Sequence, residues 1–366
     1  MSKIISIATK VPSYRHNQDD LFSFAEKIYC RDETESRKLK FLYRQSGIST
    51  RYSVIPDYSS PAAERKLFPE SADLEPFPGL EKRMEIYQQH AASISADAIR
   101  ECISNRIRTD EITHLVTVSC TGLSAPGTDL QVMEMLQLKQ DTIRTSVNFM
   151  GCYAAIHALK LADAFCKSDP TANVVVVCTE LCTLHFQKSI SIDNMTSSLL
   201  FADGCAAMLI QPGNSSKRGI LIDGFYSEVS FKGKKEMAWE LSSTGFLMTL
   251  TGYVPELIKE NFKALTDKAL RSAGRIQEDI THWCIHPGGK KILDSIAESL
   301  QVCAGALGFS YGVLKDYGNM SSPTILFVLE RILNELEQEK RLIPAVIFGA
   351  AFGPGITMET FTARYE

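Results

Sequence analysis

Three short segments, far apart in the chain, each present a reactive polar group in a Gly-rich or apolar setting, and a fourth segment is a Gly-rich turn. They are NFMGCYAA around Cys152, CIHPGG around His286, YGNMSSP around Asn319, and AFGPG at 351–355. A thiol can accept an acyl group from a thioester, and an imidazole can activate that thiol. A carboxamide donates hydrogen bonds without competing for protons. Together the three groups are suited to holding an acyl chain and stabilising an enolate.

Cys152 follows a predicted short strand, TSVNF, and begins a predicted helix whose near side is small, with Ala154, Ala155 and Ala158. A thiol at a helix N-terminus meets the positive end of the helix dipole and free backbone N–H groups, which favour the thiolate. The alternative is a buried core cysteine, one among ten, and position alone does not decide between them.

His286 ends a predicted apolar strand, THWCIH, and the following Pro287 and two glycines form a turn. In open α/β sheets, ligands bind at the carboxyl ends of strands. A hydrogen-bonded structural histidine is the alternative. His282 lies four residues earlier, a spacing that suggests a metal pair on a helix but not on a strand. We therefore expect no metal site.

Asn319 lies just before a predicted helix opened by Ser321, Ser322 and Pro323, and asparagine is common in such turns and caps. The AFGPG segment alone predicts a turn and lacks the spacing of a dinucleotide fingerprint. Both segments gain meaning only in combination with Cys152 and His286.

Composition narrows the class of protein. The 366 residues are 45% hydrophobic and 22% charged, with a formal net charge of −4, so no basic field recruits nucleic acid or an anionic membrane. No run approaches the ~20 apolar residues of a membrane span. The ten cysteines lie in apolar contexts without the density of a disulfide-rich secreted domain. We expect a cytoplasmic globular protein with reduced cysteines.

Apolar β-branched runs alternate with helical patterns, which predicts an α/β fold. The first half contains the predicted strands HLVTVSC, TSVNF, ANVVVVCTE and CAAMLIQP, and the second repeats the alternation with THWCIHP, AVIFGAAF and three helices. Strands that are apolar throughout are typical of sheets covered on both faces. We place the boundary between two halves, 1–219 and 220–366, after GNSSKRG. The Pro-rich stretch 53–80 is predicted to be a surface excursion.

Several motifs together resemble those of type III polyketide synthases, the chalcone and stilbene synthase superfamily, in its bacterial branch. They are VSCTGLSAPGTD, NFMGCYAA, VCTELCTLHF, LFADGCAA, HWCIHPGGKKILD, YGNMSSPTILFVL and AFGPGITMET. The resemblance implies a homodimer of thiolase fold, with duplicated βαβαβ halves in a five-layered αβαβα arrangement. It also implies that malonyl-CoA and an acyl-CoA starter are used directly, without a carrier protein or bound cofactor.

Carried over by motif, Cys152 is the acyl acceptor, and His286 and Asn319 drive decarboxylation of malonyl-CoA. Phe201 matches a gatekeeper between the CoA tunnel and the cavity, and Met248 stands at a second gatekeeper position. The resemblance further implies that decarboxylative condensation with malonyl-CoA is repeated, and that the extended chain then cyclises to a pyrone, resorcinol or phloroglucinol. Further cavity residues implied by the resemblance are Cys120, Cys182, His185, Ser321, Gly353 and Pro354, with Trp239 near a position that limits chain length. The implied CoA-binding residues are Lys38, Lys40 and Arg44.

Two other classes stay open. One is another thiolase-fold enzyme, such as a ketoacyl synthase performing a single condensation or a hydroxymethylglutaryl-CoA synthase. The AFGPG and GNMSS contexts argue against both. The other is a non-catalytic acyl-binding protein, which has no need of a thiol, an imidazole and a carboxamide together.

Overall fold

A computed structural model describes residues 1–233, 235–338 and 345–366. Its strands are β1 Ser2–Lys10, β2 Tyr14–Asn17, β3 Thr50–Ser53, β4 His114–Ser119, β5 Ile143–Asn148, β6 Val174–Leu181, β7 Asp203–Pro212, β8 Ile220–Val229, β9 Met237–Ser242, β10 Gly245–Leu250, β11 His282–Ile285, β12 Val346–Gly353 and β13 Thr357–Tyr365. Its α-helices are α1 Gln18–Tyr29, α2 Glu33–Gln45, α3 Leu80–Ile103, α4 Thr128–Leu136, α5 Ala154–Ser168, α6 Ile192–Leu200, α7 Val254–Ser272, α8 Lys290–Leu300, α9 Gly308–Tyr317 and α10 Thr324–Gln338. No helix in this described part is long and apolar enough to cross a membrane.

The central sheet contains two similar sets of strands. Its order is β11-β12-β13-β8-β1-β7-β6-β4-β5, and the sets meet where β1 pairs with β8 through Lys3 with Leu221 and Ile4 with Ile220. In each set the strand that begins the half lies next to the strand that ends it, in antiparallel pairing. The strands beyond them are parallel to each other, β6 with β4 and β5, and β12 with β11. This correspondence confirms the predicted duplication. The 219/220 boundary itself falls just before β8 and stays a prediction.

The core is layered because successive strand residues point to opposite faces. On one face of the first set, Val175 and Val177 pack with α3 and α4. On the other face, Val174 and Val176 join a cluster that contains α5, α10 and strands of the second set. The outer face of the second set packs on α7 and α8. Each strand set therefore forms one sheet layer, and the order of layers is helices, first strand set, shared helices, second strand set, helices. The predicted five-layered fold is confirmed.

Two sequence predictions are wrong in detail. Strand β5 is not covered on both faces, because it forms the edge of the sheet, and Ile143 is 53% exposed. The Pro-rich stretch 53–80 is a surface excursion only in part, because 53–58, Leu67, Phe68 and Leu74 are buried. Asp57 is buried and accepts backbone N–H bonds from residues 66–68 at 2.8–2.9 Å, which folds the segment back. Phe68 then packs into an aromatic cluster with Phe24 and Phe186.

Two smaller two-stranded sheets complete the surroundings of the site. Strands β2 and β3 pair with each other and carry Arg51, while β9 and β10 pair so that Trp239 lies opposite Met248. Both of these small sheets lie outside the duplicated layers, so they form walls of the site without altering the layered scaffold.

Candidate active site

Cys152 lies in a tight turn between β5 and α5. Gly151 has φ +86° and Phe149 has φ +59°, both in the left-handed region. A Cβ at Gly151 would lie 2.3 Å from Cδ of Pro354, and a Cβ at Gly353 would lie 2.5 Å from the Tyr153 ring. These glycines are required by close backbone approach. Gly353 and Pro354, expected among the cavity residues, thus support the turn from behind.

His286 is the first residue after β11, and its backbone N–H donates to Ala350 at 2.8 Å. Asn319 lies in the loop before α10. Its Nδ2 donates to the Gly288 carbonyl at 3.2 Å, and its Oδ1 accepts from the Ser321 N–H at 2.8 Å. These two bonds orient the carboxamide and leave one Nδ2 hydrogen free of them.

The three side chains come together in one pocket, which we call the Cys152 pocket. Phe201 and Met248 form part of its wall. Its remaining lining is largely apolar: Met237, Leu250, Gly288, Ile292 and Phe352. The folding of two halves around a shared helix layer therefore brings together a thiol, an imidazole and a carboxamide that are spread along the sequence from residue 152 to residue 319.

Burial sets the protonation of this pocket. Burial raises the pKa of Cys152 to about 11, partly offset by hydrogen bonding to Ser321, while the charge of Glu180 raises it further. Burial lowers the pKa of His286 to about 3. Burial in the resting state therefore opposes the thiolate that the helix N-terminus was expected to favour. Among the described residues, neither ring nitrogen of His286 has a hydrogen-bond partner.

A second cavity, which we call the inner pocket, lies on the other side of Phe201 and Met248. These two side chains line both cavities, and Cys182, His185 and Trp239 line the inner one. The His185 ring is held in place, since Nε2 donates to the Thr121 carbonyl at 2.8 Å and Nδ1 accepts from the Phe246 N–H at 3.1 Å. Burial lowers the pKa of His185 to about 3, so this ring stays neutral.

Cys120 and Trp239 join the inner pocket to the nucleophile turn. The Cys120 sulfur accepts from the Gly151 N–H at 2.9 Å, and the Cys120 carbonyl accepts from the Trp239 indole at 2.7 Å. Cys120 was expected to face the substrate; it lies behind the turn that carries Cys152. Ser321, another expected cavity residue, has φ +59° and lies close enough to the Cys152 thiol to lower the pKa of that thiol.

Glu180 is a buried carboxyl that sequence reasoning did not select. Its Oε2 accepts from the Cys120 N–H and the Thr121 hydroxyl, both at 2.8 Å, and its Oε1 accepts from Ser322 at 2.6 Å. Burial raises its pKa to about 7, although these bonds oppose the shift. The available signal was a single carboxylate inside the apolar run VVVVCTEL.

The expected CoA-binding residues lie on the exposed side of α2. Lys40 and Arg44 line a surface groove between α1 and α2, and Lys38 is exposed on the same helix. The end of α2 meets the start of α8, because a Cβ at Gly47 would lie 3.4 Å from Cδ of Lys290. Lys290 and the Cys152 pocket residue Ile292 are both on α8. The pair Lys290 and Lys291 is a basic group that the sequence analysis missed, although it directly follows the PGG turn.

Family models for "chalcone and stilbene synthases" match the chain in two parts, the N-terminal domain at residues 1–214 and the C-terminal domain at 227–365. The chain belongs to this family and is a type III polyketide synthase, an acyltransferase-type enzyme of thiolase-like fold.

Relatives extend across bacteria, plants and amoebae. An "alpha-pyrone synthesis polyketide synthase-like Pks18" of Mycobacterium tuberculosis is 28% identical over 361 residues, which is 97% of this chain and 89% of that protein. "Type III polyketide synthase C" of Arabidopsis thaliana is also 28% identical, over 99% of this chain and 94% of its own. The crystal structure of PKS-I from the brown alga Ectocarpus siliculosus superposes with a TM-score of 0.93 at 26% identity, covering 100% of this chain and 98% of the other.

Proposed function

We propose that this enzyme transfers an acyl group from an acyl-CoA starter to Cys152 and extends it repeatedly with malonyl-CoA. The observation that carries the proposal is the convergence of Cys152, His286 and Asn319 in one apolar pocket. The reaction uses no bound cofactor or metal, because the thioester and the malonyl carboxylate supply all the reactive bonds.

The first step is acyl transfer. With its pKa near 11, the Cys152 thiol needs a base, and neutral His286 has an acceptor nitrogen available. His286 takes the thiol proton as sulfur attacks the starter carbonyl, and it returns that proton to the departing CoA thiolate.

The second step is loss of CO₂ from malonyl-CoA, which leaves an enolate on the thioester oxygen. Neutral His286 can donate one N–H to that oxygen and Asn319 the free Nδ2 hydrogen. The buried, apolar lining strengthens these hydrogen bonds and disfavours the charged malonyl carboxylate, which departs as neutral CO₂. The enolate carbon then attacks the Cys152 thioester and releases the sulfur, giving an acyl-CoA two carbons longer.

The extended chain returns to Cys152, and further rounds end in cyclisation to a pyrone, resorcinol or phloroglucinol type of product. Phe201 and Met248 separate the two pockets and act as the gate through which the chain passes. The basic residues Lys38, Lys40 and Arg44, with Lys290, hold the phosphates of CoA at the entrance to the Cys152 pocket. The enzyme acts in the cytoplasm.

We further propose that the enzyme is a homodimer joined at the edge of the first strand set. The outer side of β5 has no neighbouring strand in the described structure, and the exposed apolar side chains nearby are Leu123, Leu130, Met135 and Ile143. An unpaired edge with apolar neighbours is costly in solution and suits pairing with a second copy.

The test is incubation of the purified protein with malonyl-CoA and a panel of acyl-CoA starters, following CO₂, products and intact-protein mass. Wild type should form an acyl adduct and multiply extended products, and Cys152→Ala should form neither. A matched control is Cys284→Ala, which removes another fully buried thiol from outside both pockets. A folded wild type with no adduct and no CO₂ release would overturn the proposal, and a single extension would favour a ketoacyl synthase-like enzyme.

A further inference from the structure

The inner pocket contains a buried cation that the proposed chemistry does not use. Arg51, on β3, is only 3% exposed and lines this pocket. Its Nε donates to Oε1 of Gln18 at 3.2 Å, and Nη1 donates to the Phe201 carbonyl at 2.6 Å. Its Nη2 has no hydrogen-bond partner among the described residues.

No carboxylate compensates this charge directly. The two hydrogen bonds of Arg51 go to an amide and a carbonyl oxygen, and the neutral Tyr43 hydroxyl also lies beside its guanidinium. No acidic oxygen in the described ranges lies within salt-bridge distance of it. Asp203 is near enough to influence its pKa, but the Asp203 carboxyl is occupied by Val54 and Thr183. A buried charge without a counter-ion is costly, so an anionic partner at Nη2 would be strongly favoured.

A second unpartnered donor lines the same pocket. The Ser197 hydroxyl on α6 is buried and has no hydrogen-bond partner in the described part of the chain. Its neighbour Ser198 also lines the pocket but is satisfied, since its hydroxyl donates to the Met195 carbonyl at 2.8 Å and lies 3.2 Å from the Tyr43 hydroxyl. Among the buried side-chain donors that line this pocket in the described ranges, those of Arg51 and Ser197 are the ones without a partner.

The rest of the wall is largely apolar, with Leu21, Tyr58, Phe186 and Phe246, and the cavity encloses about 40 Å³. Because one water needs about 10–15 Å³ of such free volume, the cavity has room for the end of a short acyl chain. Apolar walls with a few convergent donors are typical of a site that orients one ligand.

We propose that the inner pocket receives the far end of a short acyl starter that carries a terminal carboxylate, bound by Arg51 Nη2 and Ser197 Oγ. The starter class is then the mono-CoA thioester of a short dicarboxylic acid, such as succinyl- or glutaryl-CoA. This inference rests on the proposed acylation of Cys152, because the thioester end must be held there while the carboxylate end reaches past Phe201 and Met248.

The test compares starters of equal length on the wild-type enzyme. Glutaryl-CoA is matched with pentanoyl-CoA, and succinyl-CoA with butanoyl-CoA, so that only the terminal carboxylate differs. Hydrogen bonds to charged groups are strong, so we expect kcat/KM for Cys152 acylation to favour the dicarboxylic starter by about 10-fold or more. The monomethyl ester of glutaryl-CoA should lose most of that preference.

The same ratio is then measured in variants. Ser197→Ala should lower the glutaryl-to-pentanoyl ratio about fivefold, and Arg51→Met should abolish or reverse the preference. Ser198→Ala is the matched control, and its ratio should stay at the wild-type value. Because Arg51 also holds the Phe201 carbonyl, its replacement can slow every starter, but a ratio between two starters is insensitive to that general loss.

The outcomes separate this inference from the proposed function. If pentanoyl-CoA acylates Cys152 but glutaryl-CoA has no advantage in wild type, water occupies the two donors and the inference is wrong while the proposed function stands. If no starter acylates Cys152 and no CO₂ is released, the proposed function itself has failed. An equal ratio in wild type and Ser197→Ala would remove Ser197 from the site.

Discussion

The two halves of the molecule share a strand order but differ at the position next to the central helices. The first half has a full edge strand, β5, that leads directly into the Cys152 turn and α5. The second half has no corresponding strand in its described residues. There the loop through Asn319 precedes α10 and forms only an isolated bridge with Phe201.

This difference explains how a duplicated scaffold holds three unlike groups. The complete strand fixes a rigid turn for the nucleophile, whereas the loop leaves a carboxamide whose hydrogens are not all used by a sheet. The residues that directly follow the equivalent strands β4 and β11 also differ. Cys120 has its sulfur engaged by Gly151, and His286 has both ring nitrogens free of described partners. In the mechanism we propose, the first half supports the Cys152 nucleophile and the second half supplies the groups that act on the substrate.

The largest expected effect comes from replacing the residues that directly follow β4 and β11, Cys120 and His286, with alanine and comparing the two losses. His286→Ala should lower condensation by about 10²–10³-fold, because it removes both the base and one oxyanion donor. Cys120→Ala should lower it less than about tenfold, since only one hydrogen bond to the turn is lost. Steady-state release of CO₂ from malonyl-CoA measures both. Equal losses would contradict the division of roles between the halves.

A second variant addresses the loop that replaces the strand. Asn319→Asp removes the Nδ2 donors and adds charge near the enolate, so decarboxylation should fall by about 10²-fold. Acylation of Cys152 should be affected less, because the enolate forms after it. Asn148→Asp, at the end of β5 in the other half, is the control. Intact-protein mass and CO₂ release separate the two steps, and parallel loss of both would argue for a purely structural role of Asn319.

The third variant addresses the edge strand present in only one half. Ile143→Asp places a charge on the exposed apolar rim of β5 and should weaken the homodimer by at least about tenfold. Ile276→Asp is the control, because Ile276 is 59% exposed on the second half. Light scattering across a dilution series measures the effect. A monomeric wild type, or equal weakening by both changes, would place the interface elsewhere.

The last prediction concerns the effect of Glu180 on how stability depends on pH, and not on catalysis. Because the folded-state pKa of Glu180 is raised to about 7, its protonated form stabilises the fold below the unfolded value near 4.5. That contribution is lost as pH rises through 7, up to about 3 kcal/mol at 1.36 kcal/mol per pKa unit. Glu180→Gln should therefore flatten the decline in the free energy of unfolding between pH 5 and 8.

Urea unfolding of both proteins across that range measures the difference, which cancels contributions from other groups such as Asp203, whose pKa burial also raises to about 6. Parallel pH profiles for the two proteins would mean that the Glu180 carboxyl titrates in its ordinary range.

The local pattern of apolar residues was sufficient to predict a helix or strand wherever one periodicity dominated. The helices α5, α7, α8 and α10 and the strands β6, β11 and β12 all follow predicted segments, because continuous burial leaves an unambiguous apolar pattern. Strand β5 was assigned correctly as a strand, but its exposure was not, since edge position depends on the order of strands and not on the strand's own residues. The exposure of the segment 53–80 was predicted incorrectly in part for a similar reason. Its burial depends on Asp57 capping three distant backbone N–H groups.

The sequence by itself was enough to predict the three groups to which we assign the chemistry, because Cys152, His286 and Asn319 each stand in a turn that is recognisable from its glycines or prolines. It also determined the α/β class and the duplication, since periodicity is a local property. Only the tertiary structure decided the protonation of Cys152 and His286, the support role of Cys120, and the presence of Glu180 and Arg51 beside the pockets. Those properties depend on desolvation and on hydrogen-bond partners brought from other parts of the chain, and no local pattern records either one.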